Sequence, residues 1–274
     1  MRRFLLLLVA LGLALLAWCY WTALADPVVR EADVALHDWP AGAPPVRALL
    51  VSDLHVAGPD MPPERLARIV EQANALRPDI VFIAGDFISD RRLSTRTYSF
   101  EEAVAPLAGL RARFGTVAVL GNHDHWRNAA EAKAALRRIG VRVLANDAAE
   151  VGPLAIGGLD DAFTRHQDIA AMMNGMRALP GARIVLSHSP DPFPALPRDA
   201  TFMMAGHTHC GQIRLPLIGA LSTMSAYGDR YACGLIRENG RTLIVSAGLG
   251  TSLLPLRLGA VPDMWLIRLG PGRR

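Results

Sequence analysis

Five apolar runs, ALLVS, IVFIA, TVAVL, RIVLS and TFMMA, each give way at once to residues with metal-ligand chemistry. The segments that follow are Asp53-Leu54-His55, Gly85-Asp86, Gly121-Asn122-His123-Asp124, His188 and Gly206-His207-Thr208-His209. Apolar runs this short read as buried strands. Strand ends are where an α/β sheet collects its active-site groups. Packing alone does not call for ligands after five separate strands. Together the segments describe a site for two metal ions.

The residue types support that reading. In a strand, residues i and i+2 point to one side, so Asp53 with His55, and His207 with His209, are expected to grip an ion in pairs. Gly85 lets backbone come close to Asp86, and Asn122 offers a neutral oxygen. Imidazole, carboxylate and amide oxygen suit Mn, Fe, Zn or Mg, with no need of cysteine. Two such ions can clamp a phosphoryl group. Each segment alone has a plainer use. Asp-x-His can cap a helix, Gly-Asp marks many turns, and a lone His188 would be a satisfied core residue. Their combination and order favour the metal site.

The N-terminus carries a second signal. Met1-Arg2-Arg3 precedes an uncharged stretch from Phe4 to Ala25, long enough for a membrane span. Trp18, Tyr20 and Trp21 suit the membrane–water boundary. The arginines predict an N-in orientation, with the rest of the chain outside the cytoplasm. A cleaved signal peptide ending at Ala23-Leu24-Ala25 is the alternative; the length of the run and its bulky aromatics favour a retained anchor. The formal charge of +4 is modest, and no basic stripe is interleaved with aromatics. A nucleic-acid surface is therefore not expected. Of three cysteines, Cys19 lies in the apolar run, so at most one pair remains and the count says nothing about redox compartment.

Residues 26–45 read as a juxtamembrane strand and linker, and residues 46–270 as one domain, expected to act as a monomer. Strands are predicted at Val46–Ser52, Asp79–Ala84, Thr116–Leu120, Val141–Leu144, Leu154–Gly157, Arg183–Leu186, Thr201–Ala205 and Met264–Leu269. Helices are predicted at Pro63–Leu76, Phe100–Arg113, Ala129–Ile139 and Asp168–Leu179. Tyr231–Arg237 and Thr242–Ser246 flank an Asn239-Gly240 hairpin turn. The alternation is that of α/β layering.

The ordered set Asp53-x-His55, Gly85-Asp86, Gly121-Asn122-His123-Asp124, His188 and Gly206-His207-x-His209 resembles the calcineurin-like metallophosphoesterase family. The resemblance covers about Val46 to Leu269. It implies an αββα sandwich of two mixed sheets flanked by helices. It also implies that Asp53, His55 and His209 hold one metal ion, that Asn122, His188 and His207 hold the other, and that Asp86 bridges them. His123 would contact the phosphate and assist the leaving oxygen, with Asp124 orienting it. The segment Gly206–Gln212, the stretch Gly248-Leu249-Gly250-Thr251-Ser252 with Arg257, and the anchor are similar to a membrane-anchored bacterial branch. That branch includes phosphodiesterase-like proteins and a UDP-2,3-diacylglucosamine pyrophosphohydrolase of lipid A synthesis. One extra residue separates Asp86 from Asp90-Arg91, so no role passes to that pair.

The expectation is thus a two-metal hydrolase of phosphodiester or pyrophosphate bonds at the bacterial cytoplasmic membrane, with a substrate that could be lipid-linked. A non-catalytic binding module and a phosphoprotein phosphatase are the alternatives. Arg257 reads either as a reader of substrate phosphate or as a surface arginine. Asp160-Asp161 reads as a solvated turn or as a support for the ligands, His125 as a possible lining of the cleft beside His123, and Cys210 as structural. Leu253-Leu254-Pro255-Leu256 reads as core packing or as a contact with lipid.

Overall fold

The computed structural model describes residues 1–89 and 93–272; Asp90 and Arg91 lie outside the described residues. Five helices occur among these: α1 Arg2–Leu24, α2 Pro63–Ala75, α3 Phe100–Val104, α4 Asn122–Arg138 and α5 Ile169–Arg177. The strands are β1 Val28–Leu36, β2 Val46–Val51, β3 Ile80–Ala84, β4 Thr116–Val119, β5 Arg142–Val143, β6 Asp147–Val151 and β7 Leu154–Gly158. They continue with β8 Ala182–Leu186, β9 Phe202–Ala205, β10 Arg214–Leu215, β11 Gly219–Ala220, β12 Gly234–Glu238, β13 Arg241–Val245 and β14 Asp263–Pro271.

Two six-stranded mixed sheets form, in the orders β1-β14-β2-β3-β4-β5 and β12-β13-β9-β8-β7-β6. β2, β3, β4 and β5 run parallel in the first sheet, and β7, β8, β9 and β13 in the second. The strands are apolar on both faces because both faces are covered. Alternate residues of β2 show it. Ala48 and Leu50 meet Ile156, Ile184, Phe202 and Met204 between the sheets, while Leu49 and Val51 face α2, α3 and α4. The outer face of the second sheet packs on Met172, Met173 and Met176 of α5. This is the expected sandwich.

Several local expectations change. The helix predicted over Phe100–Arg113 stops at Val104 and tightens into a 3₁₀ turn over Ala105–Gly109. Pro106 lacks the N–H that an α-helix would need there. The helix predicted from Ala129 begins seven residues earlier, at Asn122, and kinks at Asn128, whose φ is −175°. Asn128 Oδ1 accepts the Glu131 N–H at 3.2 Å, so it caps the second segment. The predicted hairpin is present, with Asn239 and Gly240 at φ 52° and 75°, the left-handed pair of a tight turn. The juxtamembrane strand is β1, and it joins the first sheet in parallel with β14. β6 and the small β10–β11 hairpin had no clear signature.

α1 is long and apolar enough to cross a membrane. Within it only Cys19, Thr22 and Ala23 are buried, so its last turns dock on the domain and the rest is exposed. The Arg257 N–H donates to the Cys19 carbonyl at 3.0 Å, and Arg65 Nη2 to the Ala25 carbonyl at 2.8 Å.

Candidate metal centre

Five of the parallel strands, β2, β3, β4, β8 and β9, are each followed by a candidate ligand. Asp53 follows β2, Asp86 follows β3, Asn122 follows β4, His188 follows β8, and His207 and His209 follow β9. The expected alternation within a strand does not operate, because Asp53, His55, His207 and His209 lie past the strand ends. A left-handed backbone does the aiming. Asp53, His55, Asp86, His207 and His209 have φ of 50°, 45°, 54°, 71° and 50°. Each such residue costs roughly 1–2 kcal/mol, strain of the kind that clusters at functional sites. Gly85 and Gly121 let two of these loops touch. A Cβ on Gly121 would fall 2.2 Å from Asp86 Oδ1, and one on Gly85 would fall 2.6 Å from the Gly121 nitrogen.

The candidate ligand atoms converge as two groups, Asp53, His55 and His209 in one and Asp86, His188 and His207 in the other, joined by a third, His55, Asp86 and His123, that shares a residue with each. His55 Nε2 is 3.1 Å from His209 Nε2, and His209 Nε2 is 3.7 Å from Asp53 Oδ1. In the second group His188 Nε2 is 3.1 Å from His207 Nδ1 and 3.0 Å from Asn122 Oδ1. Asp86 Oδ2 stands between the groups, 3.5 Å from His55 Nε2 and 3.3 Å from His188 Nε2.

Neighbouring carbonyls set two of the tautomers. His188 Nδ1 lies 2.7 Å from the Ala84 carbonyl, and His207 Nε2 lies 3.2 Å from the Met224 carbonyl. A carbonyl only accepts, so those nitrogens carry the protons. The lone pairs of His188 Nε2 and His207 Nδ1 then face the cluster, as metal ligands require.

Burial makes the charges expensive. It pushes Asp53 up to about 6, with Asp86 adding repulsion and His188 opposing. It pushes His207 down to about 4, helped by His188. It also holds His209 well below its usual value, with His55 and Arg257 adding to the effect. Burial alone would raise Asp86, but His188, His123 and His55 hold it well below the carboxylate range. Burial opposes a charge on His188 too, but Asp86 and Asp53 raise it well above its usual value, so it must give up a proton to serve as a ligand. Neutral His207 and His209 beside an ionised Asp86 fit divalent metal ions.

His123 groups with His55 and Asp86, its ring edge-on to His55 at 4.8 Å between centroids. Asp124 was expected to orient His123. Its two oxygens take the N–H groups of Asp86, Phe87 and Gly121, each at 2.9 Å, and so clamp the Asp86 loop to the start of α4. Burial, then repulsion from Asp86, pushes it up to about 7.

Arg257 needs a larger correction. It is 0% exposed, and its Nη2 donates to the carbonyls of Ala247, Gly248 and Gly250. It therefore holds the loop that packs on Asp53, where Gly250 N–H donates to the Asp53 carbonyl at 2.7 Å. A guanidinium committed in this way does not reach a substrate phosphate. His125 pairs with Asp160 at 2.7 Å and is not among the metal-ligand groups. Asp161 is buried and caps the turn that carries Phe163, whose ring lies 4.8 Å from His207. Cys210 is bonded to Cys233, which ties the turn after His209 to the start of β12.

A cavity of about 460 Å³ opens over the cluster. Asp86, Asn122, His123, His207 and His209 form its polar side, and Trp126, Ile213, Leu221, Met224, Leu253 and Leu254 its apolar wall. Leu253 and Leu254, read as core packing or a contact with lipid, are exposed on this wall rather than packed in the core; Trp126, Ile213, Leu221 and Met224 escaped the sequence reading because they follow no period.

Residues 46–211 match the calcineurin-like phosphoesterase family. The chain belongs to that family. Its phosphoesterase domain is 30% identical over 214 residues to the uncharacterized metallophosphoesterase YkuE of Bacillus subtilis, covering 75% of this chain and 73% of that protein. The chain is also 29% identical over 257 residues to a zebrafish (Danio rerio) transmembrane protein with a metallophosphoesterase domain, covering 87% of this chain and 56% of that protein. It is 28% identical to an uncharacterized Helicobacter pylori metallophosphoesterase, of which it covers 66%. The chain thus spans between about half and two-thirds of the latter two relatives. The NAD nucleotidase of Haemophilus influenzae shares the fold of the phosphoesterase domain, with TM-score 0.51 and 16% identity over 75% of this chain and 46% of that one.

Proposed function

We propose that this chain is a membrane-anchored, two-metal phosphoesterase that hydrolyses a phosphodiester or pyrophosphate bond in a lipid-linked substrate. The observation that carries the reading is the cavity, which joins the candidate ligands Asp86, Asn122, His207 and His209 to an apolar wall. Asp53, His55 and His209 would hold one ion, Asn122, His188 and His207 the other, and Asp86 would serve both. When bound, the ions would supply Lewis acidity to a phosphoryl oxygen and an activated water at neutral pH. The chain's own part is to exclude solvent, orient the phosphate and protonate the leaving oxygen. His123 suits the last task, since it borders the cavity beside the ligands.

The anchor is α1, and the Arg2–Arg3 pair supports a domain outside the cytoplasm. The Cys210–Cys233 bond supports the same side, because disulfides persist in oxidising compartments. UDP-2,3-diacylglucosamine would suit the pocket's chemistry, but a nucleotide-linked precursor is met on the cytoplasmic side. A lipid-linked phosphodiester or pyrophosphate of the outer face is the better fit.

The test is full-length protein in detergent, with its metal measured, assayed against phosphomonoesters, phosphodiesters and lipid-linked pyrophosphates. Turnover of a lipid-linked ester well above that of its soluble headgroup analogue is expected. If protein loaded with Mn, Fe, Zn or Mg turns over none of them, the binding-module reading replaces this one.

A further inference from the structure

We infer that the β10–β11 hairpin is a second membrane contact. Its apolar tip enters the bilayer beside α1 and sets the cavity mouth at the lipid surface. The tip is Pro216-Leu217-Ile218, with Leu217 108% and Ile218 70% exposed. A free hairpin tip in water favours polar turn residues, and adjoining exposed aliphatics mark a contact surface.

The occupant follows from continuity with α1. The exposed length of α1 needs an apolar solvent, and its last turns are fastened to a strap, residues 253–258, that pairs with the hairpin base. The Arg257 N–H bonds the Cys19 carbonyl, and the next residue, Leu258, pairs with the incoming strand of the hairpin on either side of Ile213. Arg214 N–H donates to the Leu258 carbonyl at 2.7 Å, and Leu258 N–H to the Gln212 carbonyl at 2.9 Å. Leu253 and Leu254, 62% and 48% exposed, lie on the same strap, and Gln212 Nε2 donates to the Leu254 carbonyl at 3.1 Å. Exposed leucines therefore run from the hairpin tip to the cavity wall, on chain hydrogen-bonded to the end of the apolar helix. A bilayer that takes up α1 meets this rim next.

The inference rests on α1 being embedded, so the test reads both. Full-length protein with Cys19→Ala is placed in phosphatidylglycerol–phosphatidylcholine nanodiscs. Single nitroxide labels are attached at Ile218→Cys, at Leu8→Cys in α1 and at Asn239→Cys in the distal hairpin. Accessibility to oxygen and to a water-soluble nickel complex is then compared. The Ile218 label should resemble the Leu8 label, with a several-fold higher oxygen-to-nickel ratio than the Asn239 label. An Ile218 label that matches Asn239, while Leu8 reads as lipid, would overturn the hairpin contact and leave the anchor standing. Aqueous readings at both Ile218 and Leu8 would overturn anchor and contact together. As a second arm, Leu217→Ser/Ile218→Ser should leave hydrolysis of soluble bis-nitrophenyl phosphate unchanged while making the Asn239-type aqueous signature appear at a label on residue 218's neighbour, Gly219→Cys. Persistence of a lipid signature there would count against the tip residues as the inserting group.

Discussion

The His123 N–H donates to Asp86 Oδ1 at 2.9 Å, while the other Asp86 oxygen faces His55 and His188. One carboxylate thus fixes the start of α4 and lies between the two ligand groups. Asp86→Ala is expected to lose most bound metal by elemental analysis. Asp86→Asn keeps an oxygen that can accept from His123 but loses the charge, so it should retain the circular dichroism of the wild type with weakened metal binding. Wild-type metal content in Asp86→Ala would refute the shared-ligand assignment.

His123→Ala should keep the metal content of the wild type yet lose about 10²–10⁴-fold in rate on esters with poor leaving groups, the usual worth of general acid catalysis. The loss should shrink for nitrophenyl esters, whose leaving groups need little protonation. His207→Ala should lose metal and rate together. Equal losses on both kinds of ester in His123→Ala would argue for a purely structural role.

Metal affinity should depend on pH through Asp53. Burial lifts this carboxyl from 3.8 to about 6, and a proton there competes with a cation for the same oxygens. Affinity is expected to climb as pH rises through about 6, and to go on climbing above it as His188, raised well above its usual value by Asp86 against its burial, gives up its proton. His207, pushed down to about 4, stays neutral across that window and adds no step. Stability of the metal-free protein follows the opposite sign. A carboxyl whose pKa is raised by folding binds its proton more tightly when folded, so its contribution is present below 3.8 and lost as pH rises through about 6. Calorimetric titration with Mn on either side of that value checks the first claim, and a flat profile would contradict it.

Asp124→Asn should destabilise the fold. Two carboxylate oxygens now accept three backbone N–H groups, and an amide would turn a donor toward at least one of them. A buried polar group left unsatisfied costs about 1–3 kcal/mol. Urea unfolding of the metal-free proteins measures the difference, and equal midpoints would show that Asp124 is not the clamp.

The sandwich and the clustering of the candidate ligands were legible because both depend on composition at strand ends. An apolar run that must be buried on two faces has few other readings, and an aspartate or histidine directly after it has little room to be ordinary. The reasons for convergence were not legible. Left-handed turns at Asp53 and His207 carry no signal in residue type, since neither is glycine. Arg257 was misread because an arginine beside a site looks the same in sequence whether it faces substrate or backbone. Its burial follows from the carbonyls of residues 247–250, which only the folded loop presents. The part of α4 that was predicted is its second segment, which Asn128 caps; the first segment, from Asn122, carries the candidate ligand and has no apolar period to mark it.

β14 lies between β1 and β2, although it is translated after every other strand. While the chain emerges, β1 and β2 each present an unpaired edge, and the gap between them stays open until residues 263–271 arrive. Open edges recruit other strands, so the nascent domain is most prone to wrong pairing just before synthesis reaches this segment. Closure of the first sheet is thus a late event, one that follows the emergence of α1 and of every candidate metal ligand.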